Sequence, residues 1–387
     1  MADRHPLLKE EHEILRTTVR RFVEKEIAPH VEQWEEAEEF PNSVFTAMGE
    51  LGLLGIRFPR EYGGQEADYM SSVVLGESLA WAGSAAIGMA VGVQSEMATP
   101  PIVKFGTEEQ KRRYIVPACR GEKIFSLCLT EPNAGSDLAS IQTRARREGD
   151  SWVLNGRKIF ITNGVRADCY LVLARTGEEA RRTHKGMSLF LVEKGAPGFS
   201  VVSKLKKLGM RCSDTAELAF DECKVPSAAL VGQEGMGFYQ AIWELQGERL
   251  WACASCVGRA QRCLEMARDY ALQREQFGKR LADIQVIRHK LADMATQLEA
   301  GRQLTYYTAW RFDQGEVPLK EASMAKLFCA QMAFHVSDEA LQIHGGYGYM
   351  MEFPVQRYWR DVRLARIGGG TDEIQKEIIA QELLSKG

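Results

Sequence analysis

Trp152-Val153-Leu154-Asn155-Gly156-Arg157-Lys158-Ile159-Phe160-Ile161 is the stretch that decides the fold. Its apolar and β-branched residues on either side of Asn-Gly predict two strands joined by a tight turn. Further short runs at Tyr170 to Ala174, Ser188 to Val192, Phe199 to Val202 and Glu217 to Phe220 are separated by glycine, proline or charged turns and also predict strands. Both flanks read differently. Upstream, Ile14, Leu15, Val19, Phe22, Val23 and Ile27 recur at helical steps until Pro29 breaks the run, and Pro41-Asn42-Ser43 opens a helix that ends near Gly52 and Gly55. The uncharged stretch from Leu79 to Val93 is too short for a membrane span and predicts a buried core helix. Downstream, Leu281, Ile284, Ile287, Leu291, Met294 and Leu298 share one face of a long bundle helix. The expected class is α+β, mostly α. Residues 1–123 form a helical N-terminal domain, 124–234 a middle β-domain and 235–387 a C-terminal helical domain.

Composition narrows the function. Among 387 residues, 49 lysines and arginines face 52 acidic residues, so the net charge of -3 offers no global field for a polyanion and argues against nucleic acid. The nine cysteines are spread through a long chain without a signal peptide, which predicts reduced, buried thiols. Cys253 and Cys256 lie inside a helical run with no second pair, so they predict a small-residue helix face rather than redox or metal chemistry. With no targeting segment before Asp3, the cytoplasm is the expected compartment; the mitochondrial matrix fits a processed organellar protein equally well. A phosphate-binding G-x-x-x-x-G-K-[ST] loop, H-E-x-x-H, G-x-S-x-G and a strand-to-helix G-x-G-x-x-G are all missing, and seven scattered histidines predict no metal site.

Three segments carry residues suited to chemistry. Thr130-Glu131-Pro132-Asn133-Ala134-Gly135-Ser136-Asp137 combines hydroxyls, backbone amides and glycine, which suits a polar ring or a phosphate as well as it suits a plain solvent loop. Arg274-Glu275-Gln276-Phe277-Gly278-Lys279-Arg280 lies between two long helices, either as a phosphate grip or as a charged corner. In Gly368-Gly369-Gly370-Thr371-Asp372-Glu373-Ile374, glycines precede a helix with Thr371 as its N-cap; a bound group could approach that backbone closely, and a flexible turn is the plainer alternative.

Together with Leu127-Cys128-Leu129, Gly156 to Gly164, Gln342-Ile343-His344-Gly345-Gly346-Tyr347-Gly348-Tyr349 and Arg360-Asp361, these segments resemble the acyl-CoA dehydrogenase family, in family order over most of the chain. The resemblance implies a helical N-terminal domain, a β-barrel-like middle domain, a C-terminal four-helix bundle and FAD as cofactor. Leu127, Thr130, Phe160 and Thr162 match positions beside the flavin ring. Ser136 matches a position near the phosphates or the thioester, and Thr371 and Glu373 match further flavin contacts. Arg274, Gln276, Phe277, Gln285, Gln342, Gly345 and Gly346 match positions that reach the dinucleotide of a neighbouring subunit, which implies a homo-oligomer, usually a tetramer. Implied partners are an acyl-CoA thioester and an electron-transferring flavoprotein as acceptor.

The family's base departs from its commonest place. Many members carry a carboxylate immediately before the Gly-Thr of the last motif, and here that position is Gly369, preceded by Gly368. A second pattern, in isovaleryl-CoA and long-chain acyl-CoA dehydrogenases, places a glutamate before an arginine on the first bundle helix, and Leu245-Gln246-Gly247-Glu248-Arg249-Leu250 resembles it. Independently of the family, Ala241, Leu245, Glu248, Ala252 and Cys256 fall on one helical stripe, so Glu248 projects from a largely apolar face. The stripe alone favours a structural ion pair with Arg249 or another helix over a catalytic role. With the resemblance, Glu248 becomes the expected base, Gln246, Arg249, Ser136, Gly369 and Gly370 the expected substrate contacts, and the Gly369 N–H a donor to the thioester oxygen. Loss of bulk at Gly368 and Gly369 predicts room for branched or bulky acyl chains. An acyl-carrier-protein dehydrogenase, an inactive flavin- or CoA-binding homologue, and a flavin oxidase acting on a non-thioester acid are the competing readings.

Overall fold

The computed structural model describes residues 5–177 and 184–385. The start of the chain, with Asp3, lies outside them. The N-terminal part is helical, with α1 (Glu10–Phe22), α2 (Val31–Ala37), α3 (Ser43–Glu50), α4 (Tyr69–Ser78), α5 (Ala85–Gly92), α6 (Pro100–Phe105), α7 (Glu108–Gln110) and α8 (Val116–Cys119). Two expectations change here. Pro29 does not stop the helical path: a π-helical stretch Val23–Ile27 and a 3-10 turn Ala28–His30 carry the chain into α2, because a proline in a first turn forfeits no hydrogen bond. The stretch from Leu79 to Val93 is buried as expected but is broken, since Gly83 takes φ 83° and Ser84 accepts from the Ala86 N–H as the N-cap of α5.

The middle of the chain contributes β1 (Phe125–Cys128), β2 (Arg144–Glu148), β3 (Ser151–Thr162), β4 (Cys169–Arg175), β5 (Met187–Glu193), β6 (Phe199–Lys204), β7 (Thr215–Pro226) and β8 (Leu230–Val231). They form one sheet in the order β6-β7-β3-β2-β4-β5-β8, with β1 parallel to β4. The Asn155-Gly156 hairpin predicted from sequence is not formed. Asn155 and Gly156 sit inside the single strand β3, where the pairing with β7 slips between Leu154 and Gly156. Gly156 has φ 153°, and a Cβ there would lie 2.4 Å from Thr143 Oγ1, while the Asn155 amide donates to Glu222 and its oxygen accepts the Glu222 N–H. The same residues that close a hairpin serve a bulge when a partner strand runs past both sides. The true reversal is Gly149-Asp150 between β2 and β3. β2 escaped sequence reading because its polar run Arg144–Glu148 buries only Ala145. The strand expected at Glu217 to Phe220 extends over all of β7.

The C-terminal part holds α9 (Gly237–Gln273), a small hairpin of β9 (Glu275–Gln276) and β10 (Lys279–Arg280), α10 (Gln285–Asp313), α11 (Leu319–His344), α12 (Val355–Val362) and α13 (Asp372–Leu384). The motif from Arg274 to Arg280 is thus a β-hairpin between helices, not a direct corner. α9 packs on α10, α11 and α4. Its face against α11 is built of small residues, Cys253, Cys256, Ala260, Cys263 and Ala267, which meet Ala325, Cys329 and Ala333 in one buried cluster. Small side chains let helix axes approach closely. All nine cysteines are free and buried, and burial pushes the Cys256 and Cys263 thiols up to about 12, so they pack as small hydrophobes. No helix among the described residues is long and apolar enough to cross a membrane.

Candidate active site

The centre of the site is where α9 passes the turn before α13. Thr371 caps α13 as expected, its hydroxyl accepting the Ile374 N–H. Immediately before it Gly369 and Gly370 take φ 65° and 90°, a left-handed pair that L side chains enter only under strain. Two side chains hold this turn by its carbonyls. Gln375 Nε2 donates to Gly369 O and Gly370 O at 3.1 Å each, and the buried Lys326 of α11 donates to Gly370 O at 2.5 Å. With the carbonyls held, the Gly369 N–H meets no acceptor among the described residues.

Glu248 faces this turn from α9. A Cβ built on Gly369 would lie 3.1 Å from Glu248 Oε1, so the first-helix carboxylate and the vacated position look at each other across the cleft. Glu248 is partly buried and makes no hydrogen bond or ion pair among the described residues, which removes the structural ion pair as its explanation. Burial pushes its carboxyl above the usual glutamate range, opposed by the charges of Arg249 and Lys326. Arg249 is buried and donates through Nη1 to Gln246 Oε1 at 3.1 Å, while its Nε finds no partner among the described residues. Gln246 is itself anchored by donation to Ile242 O. A carboxylate with a raised pKa, beside a free backbone N–H, can take a proton from carbon while the N–H meets the oxyanion that results.

The expected flavin-side residues gather at the ends of β1 and β3. Ile159 N–H donates to Thr130 O, Ser126 Oγ donates to Thr162 O, and Lys158 Nζ donates to Leu129 O and to Glu131 Oε1 at 2.8 Å. Glu131 and Lys158 escaped sequence reading as a unit, yet this buried ion pair, with Glu131 also accepting the Gln142 and Thr143 N–H groups, shapes the loop from Thr130 to Asp137. Leu127, Thr130 and Thr162 are partly buried and Ser136 is exposed. Phe160 points outward at 66% exposure with φ 61°, in a strand whose alternation buries Ile161. A bulky residue in left-handed backbone costs about 1–2 kcal/mol, and a ring this exposed gains little from packing in return. An apolar ring set beside hydroxyls and backbone donors fits a flavin.

The second set lies elsewhere. Arg274 packs over the Tyr347 ring, and Tyr270 stacks on His344, so the hairpin that carries Gln276 and Phe277 joins the corner of Gln342, Gly345 and Gly346. Gln285 begins α10 nearby and is exposed. Phe277 is 92% exposed at φ 53°, and Gly345 and Gly346 have open space around them. At roughly 1.5 Å per residue, α9 carries this set ~38 Å from Glu248. The structure therefore brings together Glu248, Arg249, Gln246, Gly369, Gly370 and Thr371, and keeps the hairpin set apart from them. Glu373 sits exposed on the first turn of α13.

Comparison with known proteins agrees along the whole chain. Residues 9–122, 126–223 and 235–384 match the families described as the N-terminal, middle and C-terminal domains of acyl-CoA dehydrogenase. An acyl-CoA dehydrogenase of Bacillus subtilis (strain 168) is 44% identical over 375 residues, covering 97% of this chain and 98% of that protein. The mitochondrial long-chain specific acyl-CoA dehydrogenase of Mus musculus is 40% identical over 384 residues, covering 98% and 88%. The crystal structure of an acyl-CoA dehydrogenase from Geobacillus kaustophilus superposes with a TM-score of 0.95 at 41% identity, covering 98% of this chain and 100% of that one.

Proposed function

The chain belongs to the acyl-CoA dehydrogenase family, FAD flavoproteins that dehydrogenate acyl-CoA thioesters at the CH–CH bond, and from that premise we propose that Glu248 is its catalytic base. The observation that carries the proposal is the unpartnered Glu248 carboxylate facing Gly369. Glu248 takes the α-proton. The Gly369 N–H, left free by the held carbonyls of the turn, donates to the thioester oxygen as enolate charge develops. Arg249 and Gln246, tied to each other, form the wall that positions the acyl thioester, with Gly370 and Ser136 as further contacts. A bound FAD would supply the hydride acceptor for the β-hydrogen. Leu127, Thr130, Phe160, Thr162, Thr371 and Glu373 are the residues that hold it on this chain.

The hairpin set supports a homo-oligomer. Arg274, Gln276, Phe277, Gln285, Gln342, Gly345 and Gly346 are too far along α9 to serve the cofactor beside Glu248, so they reach the one held by a neighbouring copy, with a tetramer as the assembly. An electron-transferring flavoprotein is the acceptor. Gly368, whose Cβ position has only Leu364 atoms nearby at 3.8 Å and beyond, leaves the room that branched chains need.

The test is anaerobic mixing of straight and branched acyl-CoA esters with wild type and Glu248→Gln while following oxidised-flavin absorbance. The wild type bleaches and the variant, still holding FAD, does not. Equal bleaching by both would remove Glu248 as base; bleaching by neither would favour a carrier-protein thioester or an inactive homologue.

A further inference from the structure

One buried acid beside the base is unused by this chemistry. Glu244 lies one helical turn before Glu248 on α9, is 2% exposed, and neither of its carboxyl oxygens meets a hydrogen-bond partner among the described residues. Residues four apart on a helix have Cβ atoms about 5–6 Å apart, within reach of each other's carboxyl groups. A buried carboxyl without donors is held neutral, and burial together with the charge of Glu248 pushes Glu244 well above the ordinary glutamate range. Glu96 adds to this push and Arg249 opposes it.

Glu244 also lines a cleft of about 320 Å³. Its inner wall holds Arg57 and Glu96, which bond each other at 2.6 Å, with Ser72 donating to Glu96 and Tyr69 under the guanidinium. The charge of Arg57 is thus matched by Glu96, and Glu244 makes no ion pair among the described residues. The mouth is formed by the exposed residues Lys104, Glu316 and Val317. One end of the cleft meets solvent, and the other ends at an acid beside the base.

Glu248 has to lose its proton before another turnover, and its other charged neighbours are poor takers. Arg249 is a cation, and the Lys326 ammonium is held on Gly370 O. We propose that Glu244 is the exit for the proton that Glu248 abstracts, passing it through the cleft of Arg57 and Glu96 to solvent. The proposal rests on Glu248 being the base. The α-carbon–hydrogen bond breaks and its proton goes to a Glu248 oxygen. The two carboxyl groups are apart at rest, and a side-chain rotation brings them into contact. Glu248 then gives that proton to the bare oxygen of the Glu244 carboxyl group while Glu244 releases the proton on its other oxygen into the cleft. Glu248 ends as the anion and Glu244 ends neutral as it began, with one proton delivered to solvent per turnover.

The experiment uses the FAD-loaded enzyme in weak buffer with a pH-indicator dye. A rapid-mixing instrument follows flavin bleaching by an acyl-CoA ester and proton appearance together, for wild type, Glu244→Gln, Glu248→Gln and Val317→Trp. In wild type the dye follows bleaching closely. Glu244→Gln, which keeps the shape but carries no exchangeable acid, lengthens the lag between bleaching and dye response at least tenfold. Val317→Trp, which fills the mouth with Glu244 intact, lengthens the same lag and gives the reading should the Gln variant fail to fold. Infrared difference spectra of the resting proteins add a readout independent of turnover: the carbonyl band of a protonated carboxylic acid is present in wild type and absent in Glu244→Gln. An unchanged lag in both variants overturns the exit while leaving Glu248 as base. Loss of bleaching in Glu244→Gln with FAD retained also overturns it, because Glu244 would then act at the α-proton itself. Bleaching by Glu248→Gln at the wild-type rate overturns the base assignment instead.

Discussion

Replacing Gly369 by alanine tests the geometry of the site with a single methyl group. Two consequences follow from the structure. At φ 65° an L side chain costs about 1–2 kcal/mol. The new Cβ would also lie 3.1 Å from Glu248 Oε1, so the carboxylate must retreat by a few tenths of an ångström. Misplacing a reacting group by 1 Å can cost about 10²-fold in rate, so a retreat of this size costs on the order of tenfold. If the turn instead relieves its strain by rotating the peptide, the Gly369 N–H swings off the thioester oxygen, and losing one such donor costs about 10²–10³-fold. Anaerobic bleaching by a saturating acyl-CoA ester should therefore slow at least tenfold, with stability in urea reduced by about 1–2 kcal/mol. Gly368→Ala is the control: its Cβ meets nothing closer than Leu364 O at 3.8 Å, so its rate stays within about twofold of wild type. A Gly369→Ala variant that retains FAD and bleaches within twofold of wild type would refute the claim that Glu248 is aimed at this turn.

Other outcomes follow from the same geometry. Because burial raises the Glu248 carboxyl, the bleaching rate should rise with pH through a limb above the usual glutamate range, and Lys326→Met should move that limb further up, since Lys326 lowers it. The same substitution frees Gly370 O of a charge-assisted hydrogen bond worth about 1.5–3 kcal/mol and should slow bleaching without loss of fold, as judged by circular dichroism. Glu244 binds its proton more tightly folded than unfolded, so it stabilises the fold fully below the ordinary glutamate pKa, and that contribution is lost as pH rises toward its raised folded value. Glu244→Gln should flatten the decline of unfolding free energy with rising pH, measured by urea titration at several pH values. Glu131→Ala leaves Lys158 buried opposite only Leu129 O, and removing one partner of a buried pair costs about 3–5 kcal/mol. Its FAD content after gel filtration should fall with its urea midpoint, and Glu131→Ala with Lys158→Met should recover part of the loss.

Local rules made much of this protein legible before its fold was seen. Periodicity separated the helical ends from the strand-rich middle, because the side-chain repeat of a helix or strand is written in adjacent residues. Thr371 was readable as an N-cap for the same reason, since its partner is the Ile374 N–H three residues on. Glu248 on its stripe needed only α9. Asn155-Gly156 shows the limit of local reading: the pair suits both a hairpin and a bulge, and which one forms depends on β7, some sixty residues later.

The site itself was decided by tertiary structure. Glu248 and Gly369 are far apart in sequence and meet only because α9 packs under the turn that Lys326 and Gln375 hold. No local pattern states that the Gly369 N–H is free, that Glu248 lacks an ion pair, or that both oxygens of Glu244 go unpartnered. Those are properties of surroundings assembled from several elements, and burial and partner distance, which set a carboxyl group's protonation, exist only after that assembly. Which chemical groups are present, and on which elements they ride, is written in the residues; the packing of α11 against both α9 and α13 decided which of them meet.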